Sequence, residues 1–424
     1  MACVSHKLSS KTPNWLQSKD AAFSLAGLKG RLLYPTFQLG PAGWLIAAVL
    51  TIAAALLRFW HLAHPHELIF DETYYVKDAY SLWHFGYERE WGDDVDEAFA
   101  AGQAHPGSDA SYVVHPPAGK WLIGAGMALF GYDNAFGWRF TAALAGTLSV
   151  LITFILAAKL FRSLFLASVA GLLLTIEGHH IVMSRSALLD IFLMLFVLAA
   201  FCALVADRSW GRRRLVTELA ARYRRLTTPE ATDDDRATWK KTITYGPWLG
   251  LRPWRLVAGV LLGVAVSVKL SGLAFVAAFG LLTVWWDANA RKTAGIRRWL
   301  PGAVVLDGLW AFVSIVLVGA LTYVGTWGGW LASTNGYYRQ WGADNPTWLP
   351  NWLASLIHYH VQSTSFHTGL DSTHNYASAA WIWPFAGRPV SFYYRTEDDG
   401  ITCAGERCSA AILDLPNPLI WWTG

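Results

Sequence analysis

Apolar residues in this sequence fall in long blocks rather than in alternation, and that feature narrows the possible folds more than any other. Eight runs stand out, near 41–60, 119–131, 138–161, 163–177, 188–206, 254–268, 270–286 and 303–325. Most approach or exceed the ~20 residues that a bilayer-spanning helix needs. Of the 424 residues, 54% are hydrophobic and only 15% charged, where a soluble globular protein carries about 25% charged residues. The 24 Trp, many beside Gly or Pro at block ends, suit an interfacial aromatic belt. The expectation is an all-α polytopic membrane protein in contact with lipid. No Walker loop, dinucleotide fingerprint or nucleic-acid signature is present, so nucleic acid is not an expected partner.

Charge bias orients the runs. The arginines of 207–255 (Arg212, Arg213, Arg214, Arg222, Arg224, Arg225), Lys159 with Arg162, and Arg291, Lys292, Arg297 and Arg298 belong in the cytoplasm. The basic stretch 1–40 reads as a disordered cytoplasmic tail without a cleavable signal peptide. The acidic stretch 61–137 belongs outside. With 41–60 running outwards and 138–161 running back, the run 119–131 has no crossing to make. It is also short, and suits an interfacial or re-entrant helix. Seven spans then make up a membrane domain over 41–325. The large first loop 61–137, the loops at 178–187 and around 269, and the segment 326–424 all fall outside. A basic amphipathic helix at 215–226 is expected at the inner membrane surface. Cys403 and Cys408 share a polar outer loop, where a local disulfide is favoured.

The ionisable residues that bear on function gather at the outer face. Asp71 and Glu72 open an amphipathic pattern over 72–87 (Tyr75, Ala79, Leu82, Trp83). A carboxylate there caps a helix, or takes a proton from a hydroxyl held within hydrogen-bond reach. Pro116 and Pro117 start a short helix at 118 and place Lys120 in its first turn, where the helix dipole does not favour a cation. Such a charge is a ligand contact or a lysine snorkelling to lipid head groups. Glu177, His179, His180, Arg185 and Asp190 lie together in EGHHIVMSRSALLD. Adjacent histidines diverge by ~100° on a helix, and HExxH and CxxC are absent, so no metal is expected. Arg185 and Lys269 offer cations to an anion such as a lipid-borne phosphate, or to a structural anionic lipid. The aromatic residues of 326–424 suit a sugar face or a membrane interface.

In order along the chain, FDETYY, HPPAGKW, FGYDNAFGWR, EGHHIVMSRSALLDIF, SVKLSGL, ASAAWIWPFAGRPV and NPLIWW resemble the protein O-mannosyltransferases, most closely their bacterial branch. The resemblance covers about 41–424. It implies the GT-C glycosyltransferase fold with outer-face amphipathic helices, and a polyprenyl-phosphate-mannose donor in place of a nucleotide sugar. It further implies inverting transfer of mannose to Ser or Thr hydroxyls of exported proteins, at the extracytoplasmic side of the cell membrane, without a cofactor. The protein-export machinery is a further expected partner. Asp71 would be the catalytic base and Glu72 its companion, with Arg139 holding the first loop or the donor. His115, Lys120, Glu177, Arg185, Asp190, Lys269 and His374 would contact the donor. The family continues through further membrane helices after NPLIWW, so a truncated chain is expected. The rival readings are another GT-C enzyme acting on a lipid or polysaccharide, a secondary transporter, or a membrane scaffold. A transporter would bind at the bilayer midplane, where Asp307 alone is suited.

Overall fold

The computed structural model describes residues 22–33, 37–371, 376–385, 387–396 and 408–423. In chain order the main helices are α1 (Leu25–Leu32), α2 (Gly40–Phe59), α3 (Glu72–Phe85), α4 (Ala118–Phe130), α5 (Ala135–Phe161), α6 (Leu164–Ile176) and α7 (Gly178–Ser184). They continue with α8 (Asp190–Leu226), α9 (Asp233–Tyr245), α10 (Pro253–Val268), α11 (Gly272–Ala294), α12 (Trp299–Thr326) and α13 (Asn351–Gly369). Strands β1 (Val390–Thr396) and β2 (Ser409–Asp414) pair antiparallel, and a short α14 (Pro418–Thr423) follows.

Every apolar run is helical. Among the described residues five helices, α2, α5, α8, α11 and α12, are long and apolar enough to cross a membrane. A sixth crossing arises if α6 and α7, bent by 61° at their junction, are one span. The two remaining runs, α4 and α10, have 13 and 16 residues. Along α2, Leu45, Val49, Ile52 and Leu56 are each more than half exposed. An apolar face bare of protein at that spacing suits lipid rather than water. Inside α12, Val304–Gly308 and Phe312–Leu317 are π-helical.

The chain divides into two compact units. The larger comprises Phe37–Cys202, Gly259–Val276 and Val318–Gly424. Its main core joins Val76, Ala79 and Tyr80 of α3, Ile123 and Met127 of α4, Trp138 and Ala142 of α5, Phe192 of α8 and Val268 of α10. Small residues let these helices close up. A Cβ on Gly126 of α4 would collide with the Gly137 carbonyl of α5, the kind of backbone approach that glycine permits between membrane helices. Helix α3 ends at Gly86, whose φ of +82° and close contact with Gly329 leave no place for a side chain.

The smaller unit, Met1–Thr36, Ala203–Ala258 and Ala277–Leu317, revises two expectations. Part of the N-terminal stretch is ordered. Ser24 caps α1 by accepting from the Gly27 amide, and Leu28 and Leu32, one turn apart, are fully buried. The expected surface helix at 215–226 is the continuation of α8, which runs unbroken for 37 residues, roughly 55 Å at 1.5 Å per residue. Leu215, Val216 and Leu219 pack against Leu28, Leu32 and Ala290, so this stretch is core rather than a membrane-surface helix. The acidic run before α9 is a helix start, with a reciprocal capping box between Thr232 and Asp235. Arg252, Arg255 and Arg291 form buried ion pairs with Asp207, Asp287 and Asp307 in the same unit.

Candidate active site at the start of helix α3

Two adjacent carboxylates at the start of α3 divide the work. Asp71 occupies the position before the helix, with φ −73° and ψ −2°, and its side chain makes no capping hydrogen bond. The capping role falls to Glu72, whose Oε2 accepts from the Ile69 amide at 3.1 Å. Glu72 is fully buried, and each of its oxygens accepts two hydrogen bonds. Oε1 takes Arg139 Nε at 2.8 Å and the Ala187 amide at 2.8 Å. Oε2 takes Arg139 Nη2 at 2.7 Å beside Ile69. The same guanidinium donates to the carbonyls of Leu62, Pro65 and Glu67. A planar fork is suited to this bidentate grip. Arg139 therefore ties α5, the loop 62–67 and the start of α3 together, and Asp71 is left unencumbered beside them.

What surrounds Asp71 is chemically specific. The Tyr75 hydroxyl, one turn along α3, interacts with its carboxylate. Burial raises the Asp71 pKa above the usual carboxylate value, and the nearby Asp190 adds to the rise, while the Lys269 ammonium and the Tyr75 hydrogen bond oppose it. Lys269 Nζ pairs with Asp190 Oδ1 at 2.8 Å, both partly exposed. His115 packs edge-on to Tyr75 at 5.9 Å and lies 5.6 Å from the His367 ring. Burial, with Lys269 and Lys120 nearby, pushes His115 down to about 4, so its imidazole is neutral at neutral pH. Burial also raises the Tyr75 hydroxyl, with Asp71, Asp190 and Asp78 adding to it. The result is a partly desolvated carboxylate, free to accept a proton, next to one cation.

An apolar cavity of about 400 Å³ lies close by in the same unit. Trp121 and Leu122 of α4, Phe196 of α8, Val264 of α10 and Thr326 help to line it. Phe196 is six residues along α8 from Asp190, and Val264 five before Lys269, about 7–9 Å in each case at the helical rise.

Comparison with known proteins gives this geometry a context. The family model described as dolichyl-phosphate-mannose-protein mannosyltransferase matches residues 48–217. The polyprenol-phosphate-mannose–protein mannosyltransferase of Mycobacterium tuberculosis is 34% identical over 406 residues, covering 92% of this chain and 71% of the relative. The chain belongs to this protein mannosyltransferase family. Its members are glycosyltransferases, and relatives of the same description in Mycolicibacterium smegmatis and Corynebacterium glutamicum are 35% and 33% identical over 90% and 88% of the chain, which covers 69% of each. Among solved structures, the protein O-mannosyltransferase complex of S. cerevisiae bound to its sugar donor aligns with 77% of this chain and 39% of its own. That alignment has 19% identity and a TM-score of 0.49.

Against that family background, the residues expected to meet the donor divide. Asp190 and Lys269 act on Asp71, and His115 packs against Tyr75. Lys120 does not present its charge to a ligand, being 1% exposed and bound to Glu88, with Asp78 at 3.8 Å. The cation in a first helical turn is answered by carboxylates from another element. Arg185 is a clamp on the end of α2, its Nη1 donating to the carbonyls of Leu57, Arg58 and Trp60 at 2.7–3.0 Å. Four unsatisfied carbonyls at a helix C-terminus are a natural partner for a guanidinium. Glu177 caps α7 through the His180 amide and accepts from the Asn417 amide and Trp421 Nε1. Glu72, with both oxygens saturated, positions Asp71 rather than meeting substrate. His179 pairs with Asp414 and His180 with Arg58 Nη2 at 2.7 Å, on different sides of α7. His374 and Cys403, and with Cys403 the expected bond to Cys408, lie outside the described residues.

Four partners escaped the sequence reading. Tyr75 read as a helical-face aromatic, yet its hydroxyl contacts the candidate base. Glu88 and Asp78 hold Lys120. Phe392 of β1 stacks on Phe70, immediately before Asp71, with ring centroids 4.4 Å apart and planes 5° from parallel.

Proposed function

We propose that this chain transfers mannose from a polyprenyl-phosphate-mannose donor to Ser or Thr hydroxyls of exported proteins, by single displacement with inversion, at the extracytoplasmic face of the membrane. Asp71 is the general base. The observation that carries the reading is that Asp71 stands uncapped and partly buried beside Lys269, while its neighbour Glu72 carries the structural load.

The chemistry follows from the charges. An acceptor hydroxyl has a pKa far above 7 and must lose its proton as its oxygen bonds to the anomeric carbon. Asp71 takes that proton. The bond from anomeric carbon to phosphate oxygen breaks, and the electron pair leaves with the lipid phosphate. Lys269 neutralises the charge that grows on that leaving group, aided by partial desolvation. Attack and departure on opposite faces of the sugar carbon invert its configuration. A base whose pKa burial has raised is a stronger proton acceptor than a surface carboxylate, which suits the step. The apolar cavity beside Phe196 and Val264 is suited to the first isoprene units of the carrier. The charge bias of the loops supports the extracytoplasmic orientation.

The test is transfer in membranes or detergent from polyprenyl-phosphate-mannose to a Ser/Thr-rich peptide, with the anomeric configuration of the product read by NMR. Asp71→Asn should lower turnover by roughly 10²–10⁴-fold while leaving donor affinity near normal. Near-normal turnover in Asp71→Asn, or retention of configuration, would sink the assignment. A transporter reading finds no support at Asp307, whose carboxylate is taken up by Arg291 Nε and Nη2 at 2.6 and 3.0 Å.

A further inference from the structure

A second cavity, of about 690 Å³, opens along the flank of α3 and is unused by the chemistry above. Its size falls within the roughly 300–1,000 Å³ of ligand-binding clefts. One wall is α3 itself, through Thr73, Tyr74, Lys77 and Asp78, and the rim is the segment 91–97. Asp78 lies at about 60° from Tyr75 on the helix, and its charge, like that of Asp71, acts on the Tyr75 hydroxyl. The cleft thus begins at Thr73, two residues along the chain from the candidate base, and runs down the flank of the helix that Asp71 precedes.

Its polarity is opposite to that of the Lys269 side. Six carboxylates line it against three cations. Lys77 pairs with Asp96 at 2.7 Å and Arg395 with Glu67 at 2.9 Å. Asp93, Asp94 and Glu97 are exposed and make no ion pair among the described residues. An anionic lipid phosphate is repelled from such a cleft and drawn to Lys269. The cleft has polar walls, whereas the cavity next to Phe196 is apolar. Arg89 on its edge has a buried Nε without a hydrogen-bond partner among the described residues. An extended polypeptide, polar along its backbone and uncharged or cationic in its side chains, fits these demands. The donor does not.

We infer that this cleft holds the acceptor polypeptide and prefers segments in which the residues flanking the Ser or Thr are cationic rather than acidic. The inference rests on the mannosyl-transfer reading. Its test is chosen so that the two can fail separately. Dye-labelled peptides of one length, with a central Thr flanked by Lys or by Glu, are titrated by fluorescence anisotropy against the purified full chain without donor, while transfer to the same peptides is measured in parallel. The Lys-flanked peptide should bind about tenfold more tightly at low salt, at a few-fold per exposed charge pair. The gap should shrink to about threefold in an Asp93→Asn/Asp94→Asn double variant and close in high salt. Both positions are exposed, and Asn tolerates the positive φ of Asp94 as well as Asp does, so the variant should fold. Equal binding of the two peptides, no binding of either, or a gap indifferent to the double variant overturns the inference. A charge preference in binding without any mannosyl transfer upholds the cleft and refutes the transfer reading. Transfer without a charge preference does the reverse.

Discussion

Glu72→Gln should unfold this site even though the two side chains are nearly the same shape. In the native protein each Glu72 oxygen accepts two hydrogen bonds, from Arg139 Nε and the Ala187 amide on one side and from Arg139 Nη2 and the Ile69 amide on the other. Whichever end of a glutamine carries the NH₂ group then faces two donors with a third. Two hydrogen bonds are lost, and one of them was to a guanidinium, worth about 1.5–3 kcal/mol. Arg139, 1% exposed, keeps its charge without a counter-ion. Removing one partner of a buried pair costs about 3–5 kcal/mol, and that is the expected loss here. Asp71→Asn sets the contrast. Burial raises the Asp71 pKa, so its ionised form costs the folded state stability above that pKa, and the amide removes the cost. Thermal denaturation in detergent, read by tryptophan fluorescence, should show a clear fall in midpoint for Glu72→Gln and none for Asp71→Asn, although both lose activity. An unchanged midpoint in Glu72→Gln, with turnover lost, would mean that Glu72 acts on the substrate and that the division of labour argued above is wrong.

The acidic limb of the turnover–pH profile should report Asp71, and Lys269→Met, which removes a charge that lowers its pKa, should move that limb to higher pH. A limb that stays put or moves down in Lys269→Met would separate Lys269 from the base. His115 is held neutral at about 4 in the fold against an ordinary 6.5, so its contribution is complete above 6.5 and is lost as the pH falls towards 4. The thermal midpoint of His115→Gln should therefore fall less steeply than the parent's across that window, and parallel curves would count against it. Arg185→Ala should lower the thermal midpoint but leave donor KM within about twofold, because its donors are spent on α2 carbonyls. A large rise in donor KM would restore Arg185 as a phosphate contact. Asp207→Asn leaves Arg252 and Arg255 short of a counter-charge and should destabilise the smaller unit by about 3–5 kcal/mol, measured by hydrogen exchange of α8 residues beyond Ala203.

The helices were legible because membrane helices announce themselves by long apolar runs, and each observed span begins and ends within a few residues of its run apart from α8 and α11. Helix α8 overran its expected end because Leu215 and Leu219 keep helical spacing through an arginine-rich stretch that hides their burial. Asp71, Asp190 and Lys269 could be grouped from sequence, since charges at one membrane face are few and conspicuous. Lys120 and Arg185 misled for a common reason. Their partners are Glu88, 32 residues away, and backbone carbonyls near Trp60, 125 residues away. Backbone carbonyls leave no residue-type signature at all. Tyr75 was visible only as an aromatic on a helical face, because its hydroxyl acquires meaning from the conformation of Asp71. In the same way the neutralisation of Asp307 by Arg291 could be read only once α11 and α12 were seen to pack with those residues level.

The β1–β2 hairpin has a consequence for how the protein is made. Tyr393 and Arg395 reach back to Glu67 across 326 and 328 residues of chain, Asp414 to His179 across 235, and Phe392 covers Phe70 beside the base. Contacts of such separation form late. As the chain emerges from the ribosome and its helices enter the bilayer one after another, the carboxylate of Asp71 is exposed long before the hairpin exists. For most of its biogenesis the nascent protein carries Asp71 without the hairpin beside it, and the proposed base gains that cover only when the distant segment has folded back.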